Sequence, residues 1–229
     1  MTVLAIDTSS SVAAVAVSRD GVLLGEYTLN NGLTHSQRLL PMVDELLKSL
    51  NMTIKDIDAF ACSTGPGSFT GLRIGIASVK GFAFAENKPC VSVSGLEAMA
   101  YNHIHTDYII CPLMDARAGQ VYNATYRRYR GKLKMIIPPR AVEIETVIRE
   151  LSETGKTVLF LGDGVKPNLE IIKTLGEKAV IGEFNNNMQR AATIALIAEE
   201  KIKKGEIVSG QELEAEYLRK SQAEREAGR

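Results

Sequence analysis

The chain has 229 residues, of which 45% are hydrophobic and 24% charged, and its 27 basic and 27 acidic side chains cancel. That length and balance suit one large domain or two lobes with a substantial core, and they exclude global disorder. Zero net charge excludes a general nucleic-acid coat protein, so any nucleic-acid contact must be local, and no apolar run reaches the ~18 residues of a membrane span.

In chain order, Val3 to Asp7 is an apolar strand ending in Asp-Thr-Ser-Ser. Val12 to Val17 is a second strand, Arg19-Asp20-Gly21 a turn, and Val22 to Leu29 a third strand. Such short connections predict an antiparallel meander. A helix follows over Ser36 to Leu50, with Leu39, Leu40, Val43, Leu46, Leu47 and Leu50 on the helical period and Pro41 early in its course. Ala59 to Thr64 is a strand, Thr70 to Glu86 a helix, Pro89 to Val93 a strand and Gly95 to Asn102 a short helix.

The plan then restarts. Tyr108 to Asp115 is an apolar strand ending in Asp-Ala-Arg-Ala-Gly, followed by strands at Val121 to Tyr129 and Lys132 to Ile137. A helix (Glu143 to Ser152), a strand (Thr157 to Leu161), a helix (Pro167 to Leu175), a strand near Ala179 and a long helix (Met188 to Lys204) complete it. An Asp-ended strand, two more strands and α/β alternation occur twice, which predicts a duplicated α/β lobe. The boundary is expected near residue 104, giving lobes 1–104 and 105–229, with the terminal helix in the second. The mixed-charge tail from Gly205 is expected to be only partly ordered.

This duplication resembles the actin-like ATPase and sugar-kinase architecture, in which two facing hairpins hold nucleotide phosphates. Asp7, Thr8 and Ser9 would form one half of such a clamp, and Asp115 and Arg117 the other. Alternatively both are turns in which the acid and the hydroxyls satisfy local amides. A second phosphate loop is missing: Gly155-Lys156-Thr157 has Glu150 where a P-loop needs glycine, and Gly162-Asp163-Gly164 reads as a strand-to-helix turn. Cys62, Cys90 and Cys111 are scattered and odd in number, which predicts reduced thiols in a cytoplasmic protein and no cysteine zinc site. The N-terminus lacks the basic region of a secretory signal.

The most specific stretch is Gly65-Pro66-Gly67-Ser68-Phe69-Thr70-Gly71-Leu72-Arg73-Ile74-Gly75, between a strand and a helix. Ser68 is placed to cap that helix. A nucleophile elbow would need glycines where Pro66 and Thr70 stand, and His35 is the only nearby base, so a serine hydrolase is disfavoured. His103 and His105 lack the i, i+4 spacing of helical metal ligands and predict a surface loop. The helix itself is apolar over most of its circumference, so both sides should be covered. Gly71, Leu72, Gly75, Ile76, Ser78, Val79 and Phe82, with Leu39, Leu40 and Val43 of the preceding helix, are expected to form a partner interface. Gly75→Arg or Val79→Glu would then break association and leave the fold intact. Arg127, Arg128, Arg130 and Lys132, with Lys134 and Arg140 beyond, form an acid-free basic hairpin. These residues either meet nucleic-acid phosphates or protect a strand edge.

At these residues the sequence resembles the TsaB (YeaZ) family of tRNA threonylcarbamoyladenosine biosynthesis proteins. The resemblance lies in Leu4 to Ser9, in Gly65 to Gly75, in Met114-Asp115-Ala116-Arg117-Ala118-Gly119-Gln120-Val121-Tyr122 and in Glu216-Tyr217-Leu218-Arg219, and it spans essentially the whole chain. It implies an α/β actin-like (ribonuclease H-like, ASKHA) duplicated two-lobe fold. It also implies a non-catalytic subunit that binds the larger paralogue TsaD, which transfers threonylcarbamoyl to adenosine 37 of ANN-decoding tRNAs, with the ATPase TsaE joining the assembly. A homodimer is expected when the chain is alone, with no metal or cofactor bound by it, and with ATP or ADP held only at a complex interface. Ala118 stands where many relatives carry a second basic residue. The competing readings are a stand-alone actin-like ATPase or kinase, and a peptidase.

Overall fold

A computed structural model describes residues 1–32 and 34–219. The first sheet contains β1 (Thr2–Asp7), β2 (Ala13–Arg19), β3 (Val22–Leu29), β4 (Ala59–Gly65) and β5 (Cys90–Ser94), in the order β3-β2-β1-β4-β5. β1 is antiparallel to β2 and parallel to β4, and β4 is parallel to β5. The second sheet contains β6 (Ile109–Asp115), β7 (Gln120–Tyr129), β8 (Lys132–Glu143), β9 (Val158–Leu161) and β10 (Ala179–Ile181). Its order, β8-β7-β6-β9-β10, and its strand directions repeat the first strand for strand. The duplication expected from the sequence is therefore present in the topology of both sheets.

β1 is buried along its whole length, which requires cover on both faces. Leu4 and Ile6, with Val15 and Val17 opposite them on β2, join the core under α1 (His35–Ser49) and α2 (Phe69–Glu86). The alternate positions Ala5, Ala14 and Ala16 are small, and α6 (Ala191–Lys203) packs on that face through Ala191, Ile194, Ala195 and Ala198. Alanine against alanine lets a helix approach a sheet closely at little side-chain entropy cost. α1 continues through Pro41, which lies on its exposed side.

Two carboxylates fix α6 to this sheet. Glu26 accepts from the Ala192 N–H at 3.0 Å and from Arg190, and Glu199, 1% exposed, accepts from Ser18 Oγ at 2.5 Å and the Gly21 N–H at 2.7 Å. The helix that the chain-order reading assigns to the second lobe thus belongs to the first. Among the described residues the two compact units are 1–98 with 189–215, and 99–188 with 216–219, rather than 1–104 and 105–229. Part of the tail from Gly205 packs on the first unit. Cys90 and Val208 exchange backbone hydrogen bonds of 2.8 and 2.9 Å, and Leu213 is buried in the first core. The part of the tail from 220 onward lies outside the described residues.

In the second unit, α4 (Ile144–Glu153) buries Ile144, Val147, Ile148 and Leu151 against Cys111, Leu113, Val158 and Phe160. The short α5 (Leu169–Ile172) is flanked by 3-10 turns, so the span predicted as one helix, Pro167 to Leu175, is three short pieces, and Gly176 at φ 61 follows its end. β8 runs to Glu143, beyond the predicted Ile137, with register shifts near Thr125.

Candidate functional site

The Gly65–Gly75 stretch meets the β1–β2 turn. Ser68 caps α2 as predicted, its side chain accepting from the Gly71 N–H at 3.2 Å, while its own N–H donates to the Ser9 carbonyl at 2.7 Å. Thr8 Oγ1 donates to the Gly71 carbonyl at 2.8 Å. The glycines are dictated by this approach. A Cβ on Gly67 would lie 2.3 Å from the Ser9 carbonyl oxygen, one on Gly71 2.0 Å from that of Thr8, and one on Gly75 2.5 Å from Thr8 Oγ1. No side chain fits at such distances.

Asp7, Thr8 and Ser9 are all at most 2% exposed. Asp7 Oδ1 accepts from the Ser9 N–H at 2.8 Å and Ser9 Oγ at 2.6 Å, so the acid and hydroxyl satisfy their own turn. The groups expected to hold phosphate are bonded inside the first unit, under the N-terminus of α2. The hydrolase constellation does not form either: His35 Nε2 bonds the Ser10 carbonyl at 2.7 Å, while Ser68 serves as the helix cap.

The expected partner interface is corrected in part. Leu39, Val43, Leu72, Ile76 and Val79 are buried in the first unit's own core, and Gly71 and Gly75 face Thr8. Val79 is 0% exposed, so Val79→Glu and Gly75→Arg would disrupt folding rather than spare it. Ser78 and Phe82 are partly buried; Ser78 Oγ donates to the Ile74 carbonyl, and the Phe82 ring lies 5.7 Å from that of Phe60. Leu40 is exposed. The side of α2 that does face solvent carries Thr70, Arg73, Ala77, Gly81, Phe84 and Ala85, none of which was among the residues expected at the interface. Phe84 is 87% exposed, and a Cβ on Gly81 would meet nothing within 4 Å. A helix apolar all round has no polar face to mark its outer side, so periodicity alone could not separate these residues from the core.

The matching turn of the second unit is more open. Asp115 and Arg117 are exposed, the Asp115 carboxylate accepts from the Arg117 N–H at 2.8 Å, and Arg117 and Ala118 take φ 62 and 52. Arg219 donates to the Ala116 and Arg117 carbonyls, which occupies the inner side of the turn. Asp163 accepts from the Asp115 N–H at 3.1 Å; burial, and then the neighbouring Asp115 charge, push its carboxyl above the usual range. His103 Nε2 bonds the Asn186 carbonyl at 2.8 Å, and among the described residues no group of three His, Cys, Asp or Glu could hold a metal. Burial raises the thiols of all three cysteines, Cys90 to about 11. Arg127, Arg128, Arg130 and Lys132 gather at the β7–β8 turn, as the sequence predicts. No helix among the described residues is long and apolar enough to cross a membrane.

Twice-repeated sheets of this topology define a duplicated α/β protein of the actin-like (ribonuclease H-like) class. Component A of (R)-2-hydroxyglutaryl-CoA dehydratase from Acidaminococcus fermentans shares the fold, with a TM-score of 0.52 at 14% identity, over 89% of this chain and 99% of that one. YeaZ from Pseudomonas aeruginosa superposes with a TM-score of 0.80 at 28% identity, over 95% of this chain and 99% of that one. Residues 30–227 match the family model for TsaD, tRNA N6-adenosine threonylcarbamoyltransferase. The tRNA threonylcarbamoyladenosine biosynthesis protein TsaB of Bacillus subtilis (strain 168) is 35% identical over 98% of this chain and 96% of its own length. The chain belongs to the TsaB (YeaZ) family.

Proposed function

We propose that this chain is a non-catalytic subunit in tRNA threonylcarbamoyladenosine biosynthesis, acting by binding the larger paralogue TsaD. The observation that carries the reading is the solvent side of α2, where Phe84 stands 87% exposed beside Ala77, Gly81 and Ala85. An exposed aromatic flanked by residues that let a second helix approach is the anatomy of a helix-packing interface. The buried Asp7–Ser9 turn supports the non-catalytic part, because its Thr8 and Ser9 hydroxyls and the Oδ1 oxygen of Asp7 are committed to internal hydrogen bonds. On this reading TsaE and tRNA reach the chain through the assembly, and nucleotide binds only where a partner completes a site. The same α2 face serves a symmetric homodimer when the chain is alone.

The test is association measured by size exclusion with purified TsaD. Ala77→Glu and Phe84→Ser, both on the exposed face, should leave thermal unfolding close to wild type and reduce association at least ~10-fold, the loss of ~1.4 kcal/mol expected of one hot-spot contact. Undiminished association by both variants would overturn the reading.

A further inference from the structure

We propose that the tip of the β7–β8 hairpin is a docking face for the phosphate backbone of a folded RNA, built from Arg127, Tyr129, Arg130, Lys132 and Lys134. It rests on the tRNA part of the reading above and not on the docking of a protein partner. Register sets the face. Arg127 pairs with Lys134, and Tyr129 with Lys132, across the antiparallel strands. Directly opposed residues and residues two apart share one side of a sheet, so these four project together. Arg128, opposite Leu133, projects to the other side.

Tyr129, 47% exposed, is the centre of the group. Arg127 Cζ lies 5.7 Å, Arg130 Cζ 5.3 Å and Lys134 Nζ 5.2 Å from its ring centroid. The negative ring faces offset part of the mutual repulsion of three cations and hold them at fixed spacing. None of the five cations at 127, 128, 130, 132 and 134 is ion-paired among the described residues, whereas Arg140 and Arg190 are paired with Glu150 and Glu26. The buried Arg127 Nε has no hydrogen-bond partner among the described residues. The sequence from 127 to 142 holds no acid.

Edge protection accounts for only part of this. β8 is the edge strand of its sheet, and Lys132 and Lys134 would guard it. β7 is paired on both sides, so Arg127 guards no edge, and Arg130 lies in the turn. A dense group of unpaired cations on a chain of zero net charge calls for an anionic partner. Arginine and lysine bond phosphate oxygens, so a group of them held at fixed spacing around Tyr129 suits the closely spaced phosphates of a folded RNA.

The experiment measures binding of the full chain to a tRNA transcript between ~50 and ~200 mM salt. The triple variant Arg130→Gln/Lys132→Gln/Lys134→Gln should bind at least ~10-fold more weakly at ~100 mM salt and flatten the slope of log K against log salt by about 2 to 3, since each phosphate contact contributes ~0.9. Tyr129→Ala should weaken binding with a smaller change in slope. Arg128→Gln, which removes charge from the opposite side, should change the slope by well under one. Association of the triple variant with TsaD should be unchanged. Equal slopes for the triple variant and wild type would overturn the hairpin proposal alone, while no wild-type binding at ~50 mM salt would overturn it together with the tRNA reading. A triple variant that keeps tRNA affinity but loses TsaD, or loses binding to phosphatidylglycerol vesicles, would make the tip a protein or membrane surface and overturn the proposal.

Discussion

Gly71 and Gly81 stand on the same helix under opposite constraints. A Cβ at 71 would press on the Thr8 backbone at 2.0 Å, while at 81 it would meet open space. Gly71→Ala should therefore destabilise by ~3 kcal/mol or more, the top of the overpacking range, because backbone cannot yield as a side chain can. Gly81→Ala should stabilise by ~0.5–1 kcal/mol through the helix propensity of alanine. Urea midpoints check both, and similar shifts for the two would contradict the seating of α2 on the β1–β2 turn. Asp163 gives a prediction of a different kind. Its carboxyl is raised by burial first, so the neutral form is favoured in the folded chain. The contribution of Asp163 to stability is then fullest below the unfolded aspartate pKa and is lost as pH rises through the raised value. Asp163→Asn keeps an oxygen to accept the Asp115 N–H and removes the cost of the charge. The variant should match wild type in acid and gain on it progressively toward neutral pH. A difference in Tm that is constant with pH would contradict this.

At the scale of elements, α6 depends on two acids that reach back to the first hairpin. Glu199→Ala would leave Ser18 Oγ and the Gly21 N–H without their buried acceptor. A loss of ~1–3 kcal/mol in denaturant unfolding is expected, and a loss below ~0.5 kcal/mol would contradict the role given to that carboxylate. Most strands and helices were legible, because apolar runs and helical spacing mark burial directly: β3, α2 and β5 fall within a residue or so of their predicted bounds. The repeat also conveyed that the two sheets share one plan. The destination of α6 was not legible. Its spacing shows which residues are buried but not against which sheet, and only the small residues Ala5, Ala14 and Ala16 hinted at a close helix on β1 and β2. The same limit put core residues of α2 among those expected at the surface. α2 lacks a polar face, and its glycines serve approach to the chain's own turn rather than to a partner. The basic hairpin was legible as a charge run, but its sidedness needed the register that joins Arg127 to Lys134.

At the scale of the whole molecule, the sequence family and the buried Asp7–Ser9 turn point the same way. This is a chain with an actin-like plan whose first hairpin is closed by its own glycine-rich helix start, and whose exposed apolar face requires cover. On the function proposed above, its part in the chemistry is to complete another protein. The most direct measurement is an omission assay with TsaD, TsaE, threonylcarbamoyl-AMP, ATP and unmodified tRNA, with and without this chain, quantifying modified adenosine. Product that forms only when the chain is present, and equally well with Asp7→Asn as with wild type, is the predicted result. Product that forms as fast without the chain would contradict its role as a required subunit, and loss of product with a folded Asp7→Asn variant that still binds TsaD would contradict its non-catalytic part.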